Sequence, residues 1–156
     1  MPMHYFFLVD DFEDLIREIG KAEKRIKDAL AEMGRSCEEG GDTWHDNFGY
    51  EEAQRQIYMW SMHLNKLMEI RRQAIVVDAN FRDRVVDIGR TVTVLDRDTG
   101  ELKTFKIGSY MVFKVDEGVI SYEAPLAKII LRARIAEERK GIIAKKQRTF
   151  IIIKIE

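Results

Sequence analysis

The sequence predicts an α+β fold: an N-terminal antiparallel two-helix coiled coil over residues 1–78, then a small antiparallel β-sheet domain with one short helix over residues 79–156. Three observations carry this. Two long N-terminal stretches place apolar residues three and four positions apart. A segment punctuated by Gly40, Gly41 and Gly49 separates them, and beyond Val76 to Arg84 the apolar pattern alternates with period two.

The first stretch carries Phe12, Leu15, Ile19, Ala22, Ile26, Ala29 or Leu30, Met33 and Cys37, a narrow apolar seam sustained over more than three heptads. Between these positions Arg17, Glu18, Lys21, Glu23, Lys24, Arg25, Lys27 and Asp28 form a solvated face of mixed sign. The second stretch runs Tyr50, Ala53, Ile57, Trp60, Leu64, Leu67, Arg71 and Ala74. Neither helix can bury its seam alone, so the two are expected to close on each other as a finger whose arms reach about 40 Å at 1.5 Å per residue. Cys37 is expected as a small buried seam residue, and Met59, Trp60, Met62 and Met68 as seam or flank packing, with His63 facing solvent.

Strands are expected at TVTVLD (91–96), LKTFKI (102–107), SYMVFKV (109–115), VISYE and TFIIIKIE (149–156). Asp98-Thr99-Gly100 supplies a tight turn between the first two, and Asp116-Glu117-Gly118 turns the chain before VISYE. Pro125, followed by LAKIILRARIAEE, predicts a short helix with proline in its first turn. The junction Asp78 to Asp83 lacks proline and glycine, which predicts a short, stiff connection.

With 156 residues, 46% of them hydrophobic, the chain can build a packed core, and its net charge of −1 says nothing about partners. The distribution says more: residues 1–79 carry 10 Lys and Arg against 16 Asp and Glu, while residues 80–156 carry 16 against 11. The apolar runs at either end are too short for a membrane span, and the start does not read as a signal peptide. A single cysteine excludes an intramolecular disulfide and predicts a cytoplasmic setting.

Negative charge is concentrated in EEGGDTWHDNFGYEE, Glu38 to Glu52, which holds six carboxylates, one histidine and no lysine or arginine. Read from the residues alone, Asp42 and Asp46 are turn formers or helix N-caps. Glu38, Glu39, Glu51 and Glu52 read as solvated residues whose summed field attracts cations. His45 could carry a proton or bind a transition metal, but Cys37, His45 and the two aspartates have no recognisable zinc-ligand spacing. The basic surplus at 128, 132, 134, 139, 140, 145, 146 and 148 lacks interleaved aromatics, a weak signal for DNA or RNA binding, and reads mainly as solvated surface.

The stretches IGRTVTVLDRDTGELKTFKIGS (88–109) and GVISYEAPLAKIIL (118–131) resemble the C-terminal domain of the GreA/GreB transcript-cleavage factors of bacterial RNA polymerase. Ile120-Ser121 followed by Ala124-Pro125-Leu126-Ala127-Lys128 is similar to that family's "IS…SPLA+" signature. The resemblance implies an FK506-binding-protein-like β domain that docks on the polymerase, with Ser121, Pro125 and Leu126 at the docking surface. It also implies a coiled coil that enters the secondary channel. There the tip carboxylates Asp42 and Asp46 would help hold Mg2+ jointly with the polymerase, so that backtracked RNA is cut near its 3′ end; the chain would have no cofactor of its own and act as an accessory factor, not an enzyme. The family tip reads roughly G-D-x-x-E-N-A-E-Y, to be compared with Gly41-Asp42-Thr43-Trp44-His45-Asp46-Asn47-Phe48-Gly49-Tyr50. Gly41-Asp42 fits directly, and Asp46-Asn47 fits the acid-asparagine pair if one extra residue is allowed; without it, His45 stands where the second acid belongs. Trp44, His45, Asn47 and Phe48 are the tip residues expected either to brace the turn or to touch the partner. A free monomer with no membrane partner is expected.

Two other functions fit the same residues. One is a channel-binding regulator without cleavage-stimulating activity; the other is an interaction protein whose coiled coil pairs with a second copy or another partner.

Overall fold

The computed structural model describes residues 3–39, 47–79, 83–114 and 118–156, with only the backbone of Glu39. The elements in chain order are β1 (Tyr5–Leu8), α1 (Val9–Glu39), α2 (Phe48–Arg72), β2 (Ala74–Val77), β3 (Thr91–Asp96), β4 (Leu102–Gly108), β5 (Val119–Ser121), α3 (Pro125–Ile130), β6 (Glu138–Ile143) and β7 (Lys146–Ile155). They form two compact units, Met1–Phe12 with Ala74–Glu156, and Glu13–Gln73. The expected boundary at 78/79 is thereby corrected at both ends, because β1 pairs in parallel with β2, Tyr5 opposite Ala74 through Leu8 opposite Val77. That pairing joins residues far apart in sequence and draws the first twelve residues into the β unit.

In the helical unit the expected seam closes. Leu15, Ile19 and Ala22 of α1 and Ala53, Leu67 and Ile70 of α2 are buried, spaced by three and four. Ala29, half-buried, takes the seam position for which Leu30 was the alternative, and Leu30 is exposed. Two positions depart from expectation. Ser36 is buried and Cys37 exposed, so the seam steps by three from Met33 instead of four. At the other end Ile70, not Arg71, faces inward, and Ala74 has left the helix for β2. Met59, Met62 and Met68 are exposed, while Trp60 is half-buried with the Arg25 guanidinium 5.6 Å from its ring centroid. Cation–π contact of this kind holds a large aromatic at the edge of a narrow seam.

The β unit is built on a five-stranded sheet of order β5-β4-β3-β7-β6. TVTVLD forms β3 with strict alternation, its Val92, Val94 and Asp96 buried. The β3–β4 hairpin turns where the sequence requires it, with Gly100 at φ +75° and its N–H donating to the Asp96 carbonyl at 2.8 Å. The sheet is mixed, not purely antiparallel, since β5 runs parallel to β4. Ser109 to Lys114 forms no strand, correcting the reading of SYMVFKV. Its polar groups receive β1 instead: the Tyr110 N–H donates to the Phe6 carbonyl at 3.0 Å, and the Leu8 N–H to Ser109 Oγ at 2.8 Å.

The helix after Pro125 is shorter than expected, ending at Ile130, and strand β6 begins at Glu138, the last residue of the stretch expected to be helical. Arg132 and Ala136 adopt positive φ of 66° and 67°, which stops the helix and redirects the chain. The core under the sheet includes Val86, Val92, Ile107, Ile130, Phe150 and Ile152, each at most 2% exposed. Gly141 of β6 lets α3 approach, because a Cβ there would stand 2.4 Å from Ile129 Cγ1. Among the described residues, no helix is long and apolar enough to cross a membrane.

Candidate functional site

Two places attract attention: the turn end of the helical hairpin and the corner between β5 and α3. At the hairpin end Asp42, Trp44, His45 and Asp46 lie outside the described residues, as does the acidic pair of the 116–118 turn. Asn47 and Phe48 are described. Phe48, the first residue of α2, is 87% exposed and free to meet a partner. Asn47 is the N-cap of α2, its Oδ1 accepting from the Tyr50 N–H at 3.2 Å. The same side chain reaches across the hairpin, its Nδ2 donating to the Ser36 carbonyl of α1 at 2.5 Å. Sequence patterning missed this role of Ser36; its signal was a small polar residue one place before the expected seam position.

The charges around the turn are not equivalent. Glu38 and Glu51 are exposed, and Glu51 stands in the first turn of α2, where a carboxylate favours the helix dipole. Glu52 instead receives hydrogen bonds from Arg55 Nη2 at 2.8 Å, Arg55 Nε at 3.0 Å and Gln56 Nε2 at 2.8 Å. Those bonds, from Arg55 above all, hold the Glu52 carboxyl below the usual carboxylate range. Its charge is thus partly neutralised by an arginine that stands just beyond the stretch lacking basic residues. Among the described residues, no group of three His, Cys, Asp or Glu side chains could hold a metal ion.

At the β5–α3 corner the three expected docking residues have different surroundings. Pro125 is exposed at the first position of α3, while Leu126 is half-buried and packs on the core. Ser121 is committed internally: its Oγ donates to the Tyr110 carbonyl at 2.9 Å and accepts from the Glu123 N–H at 3.2 Å. It shapes the corner on which Pro125 is displayed. Beside them Lys128 pairs with Glu123 at 2.6 Å, both exposed.

Much of the basic surplus of the β unit is spent within the fold. Arg148 bonds the fully buried Asp96, Arg132 pairs with Asp87 at 3.3 Å and Arg139 with Glu137 at 2.7 Å. Burial alone would raise the Asp96 carboxyl, but the Arg148 hydrogen bond and charge and the N–H groups of Asp98 and Thr99 together bring it below its usual value. Arg148 ties β7 to β3, Arg132 ties the loop after α3 to the loop before β3, and Arg139 pairs locally at the start of β6.

Residues 82–156 match the family described as "Transcription elongation factor, GreA/GreB, C-term". The chain is 25% identical over 128 residues to "Transcription elongation factor GreA" of Thermosipho africanus, an overlap covering 82% of this chain and 81% of the relative. It is 29% identical over 129 residues to the protein of the same name from Nautilia profundicola, covering 81% and 78%. Among solved structures, GreA factor homolog 1 (Gfh1) of Thermus thermophilus is 19% identical, with 99% of both chains covered and a TM-score of 0.46. By its C-terminal domain the chain matches the GreA/GreB family, and over about four fifths of its length it is similar to proteins named transcription elongation factor GreA.

Proposed function

We propose that this chain binds bacterial RNA polymerase, inserts the helical hairpin into the secondary channel and stimulates cleavage of backtracked RNA. The observation that carries the reading is the conjunction of a long two-helix hairpin with a stretch at its turn that holds six carboxylates and no basic residue. An α1 of 31 residues extends about 46 Å at 1.5 Å per residue, ample for reaching into a deep channel. Asp42 and Asp46 are the carboxylates assigned to assist a Mg2+ ion held jointly with the polymerase. Such an ion, when bound, stabilises the attacking and leaving oxygens of phosphodiester hydrolysis. The protein adds ligands and orientation to another catalyst's site, and is in this sense an accessory factor. The exposed Pro125 and the adjoining Glu123–Lys128 pair are the surface assigned to docking, with Ser121 and Leu126 shaping it from within.

Purified protein added to a stalled, backtracked polymerase should release short 3′ RNA fragments, and Asp42→Asn should suppress release without weakening binding. Binding with no fragments from the wild-type protein would eliminate the cleavage half of the proposal. One observation favours a second reading, a channel-binding regulator without hydrolytic effect: His45 stands where the ungapped family pattern has its second acid. On that reading the protein slows elongation and releases nothing. Both readings expect a free monomer, which sedimentation checks; a stable dimer favours the coiled-coil interaction protein.

A further inference from the structure

The amide of Asn47 satisfies two helix ends at once. The Ser36 carbonyl lies in the last described turn of α1, and the Tyr50 N–H is among the first four of α2, a group with no partner within its own helix. Donating to one while accepting from the other requires a donor and an acceptor held apart on one planar group, which asparagine provides. Ser36 is only 6% exposed, and Gly49 sits against it: a Cβ at position 49 would lie 2.8 Å from Ser36 Oγ and 3.4 Å from Asn47 Oδ1. A small residue on α1, a glycine on α2 and a bridging amide thus meet at one crossing.

We infer that this crossing is a positioning device: Ser36, Asn47 and Gly49 fix the two helix ends to which the connecting residues 40–46, with Asp42 and Asp46, are attached. The inference rests on the reading of the acidic turn given above. Asp46 is covalently next to Asn47, so rotation of an unlinked Asn47 would move the attachment point of its carboxylate directly. Misplacing a catalytic ligand by about 1 Å costs on the order of a hundredfold in rate. Asn47 is in this sense a positioning residue whose effect is read at the partner's active centre, not a metal ligand.

Asn47→Asp and Asn47→Ser separate this role from helix capping, since both keep an acceptor for the Tyr50 N–H and rank with asparagine as N-caps. Ionised aspartate cannot donate to the Ser36 carbonyl, and serine is too short to span both partners. Each variant should lower the maximal rate of fragment release about 10- to 100-fold, with half-saturating concentration and Tm unchanged. Full release by both variants, beside an active wild type, overturns the inference. An inactive wild type instead overturns the reading of the turn. The crossing is then judged without polymerase by a spin label on Cys37, the chain's only cysteine, exposed and adjacent to Ser36. The label should become roughly twofold more mobile in both variants, as local fixation is lost; identical spectra would remove the device altogether.

Discussion

The β unit and the helical hairpin use their buried residues and their charges in opposite ways. In the β unit, buried side chains from β3, β4 and β7, from α3 and from the intervening loops meet in one cluster, so each touches several elements. In the hairpin, buried residues form a single line, and two of them, Ala22 and Ala53, contribute little apolar surface. Ion pairs follow suit. Arg148–Asp96 joins β7 to β3 and Arg97–Glu138 joins the turn after β3 to β6, whereas Lys21–Glu18, Arg55–Glu52 and Arg72–Glu69 join residues three apart on one helix. The β unit therefore binds itself together through both packing and charge. The hairpin relies on local helix support and a narrow seam, leaving most of its described surface, Glu38 and Glu51 included, facing outward.

The largest effect should come from truncating the shared cluster. Phe150→Ala, at a site 2% exposed, should cost about 3–5 kcal/mol. Amide exchange across residues 91–108 should accelerate with it, since β3 pairs directly with β7. Leu67→Ala on the seam should cost less, about 2 kcal/mol, because a two-helix seam can collapse around a cavity more easily than a packed sheet. Trp44 and Trp60 are the only tryptophans and both lie in residues 13–73, so fluorescence in urea reports this loss. Equal losses at the two sites would erase the distinction between cluster and line.

Charge sharpens the same contrast. The folded Asp96 carboxyl is held below its ordinary value of 3.8, so its stabilising contribution is present above that value and fades as pH falls through the lower, folded one. Wild-type stability should therefore drop below about pH 4, and Asp96→Asn should be less stable at neutral pH with a flatter acid limb. Parallel acid limbs in urea melts would count against it. At the small end, Glu52→Gln removes an exposed one-helix pair and should leave the unfolding midpoint unchanged.

The division between the two units also marks where sequence reasoning succeeded. Local periodicity carried both helices and strands β3, β4 and β7, with Asp98-Thr99-Gly100 at the turn. It missed the β1–β2 pairing because YFFL and AIVV are four-residue apolar runs that become strands only by meeting each other. It missed β6 because the chain turns there at residues that do not announce it. Ala144 and Lys145 take the two positive φ values, 50° and 66°, of a two-residue hairpin more often built from Asn-Gly. At the candidate site the acidic composition was legible, and so was Asn47 as a tip residue. Its bridge to Ser36 was not, since the helix register at the end of α1 shifts by one residue from the apolar pattern.

The central claim is that the turn of the hairpin works inside the polymerase's active cavity, and the chain's own Cys37, exposed in the last turns of α1, allows a direct test. An iron chelate attached there and triggered in the bound complex generates hydroxyl radicals that cut only nearby backbone. The account predicts cuts in the polymerase segments lining its catalytic Mg2+ and secondary channel. Cuts confined to the outer surface, from a complex shown to be fully bound, would contradict it.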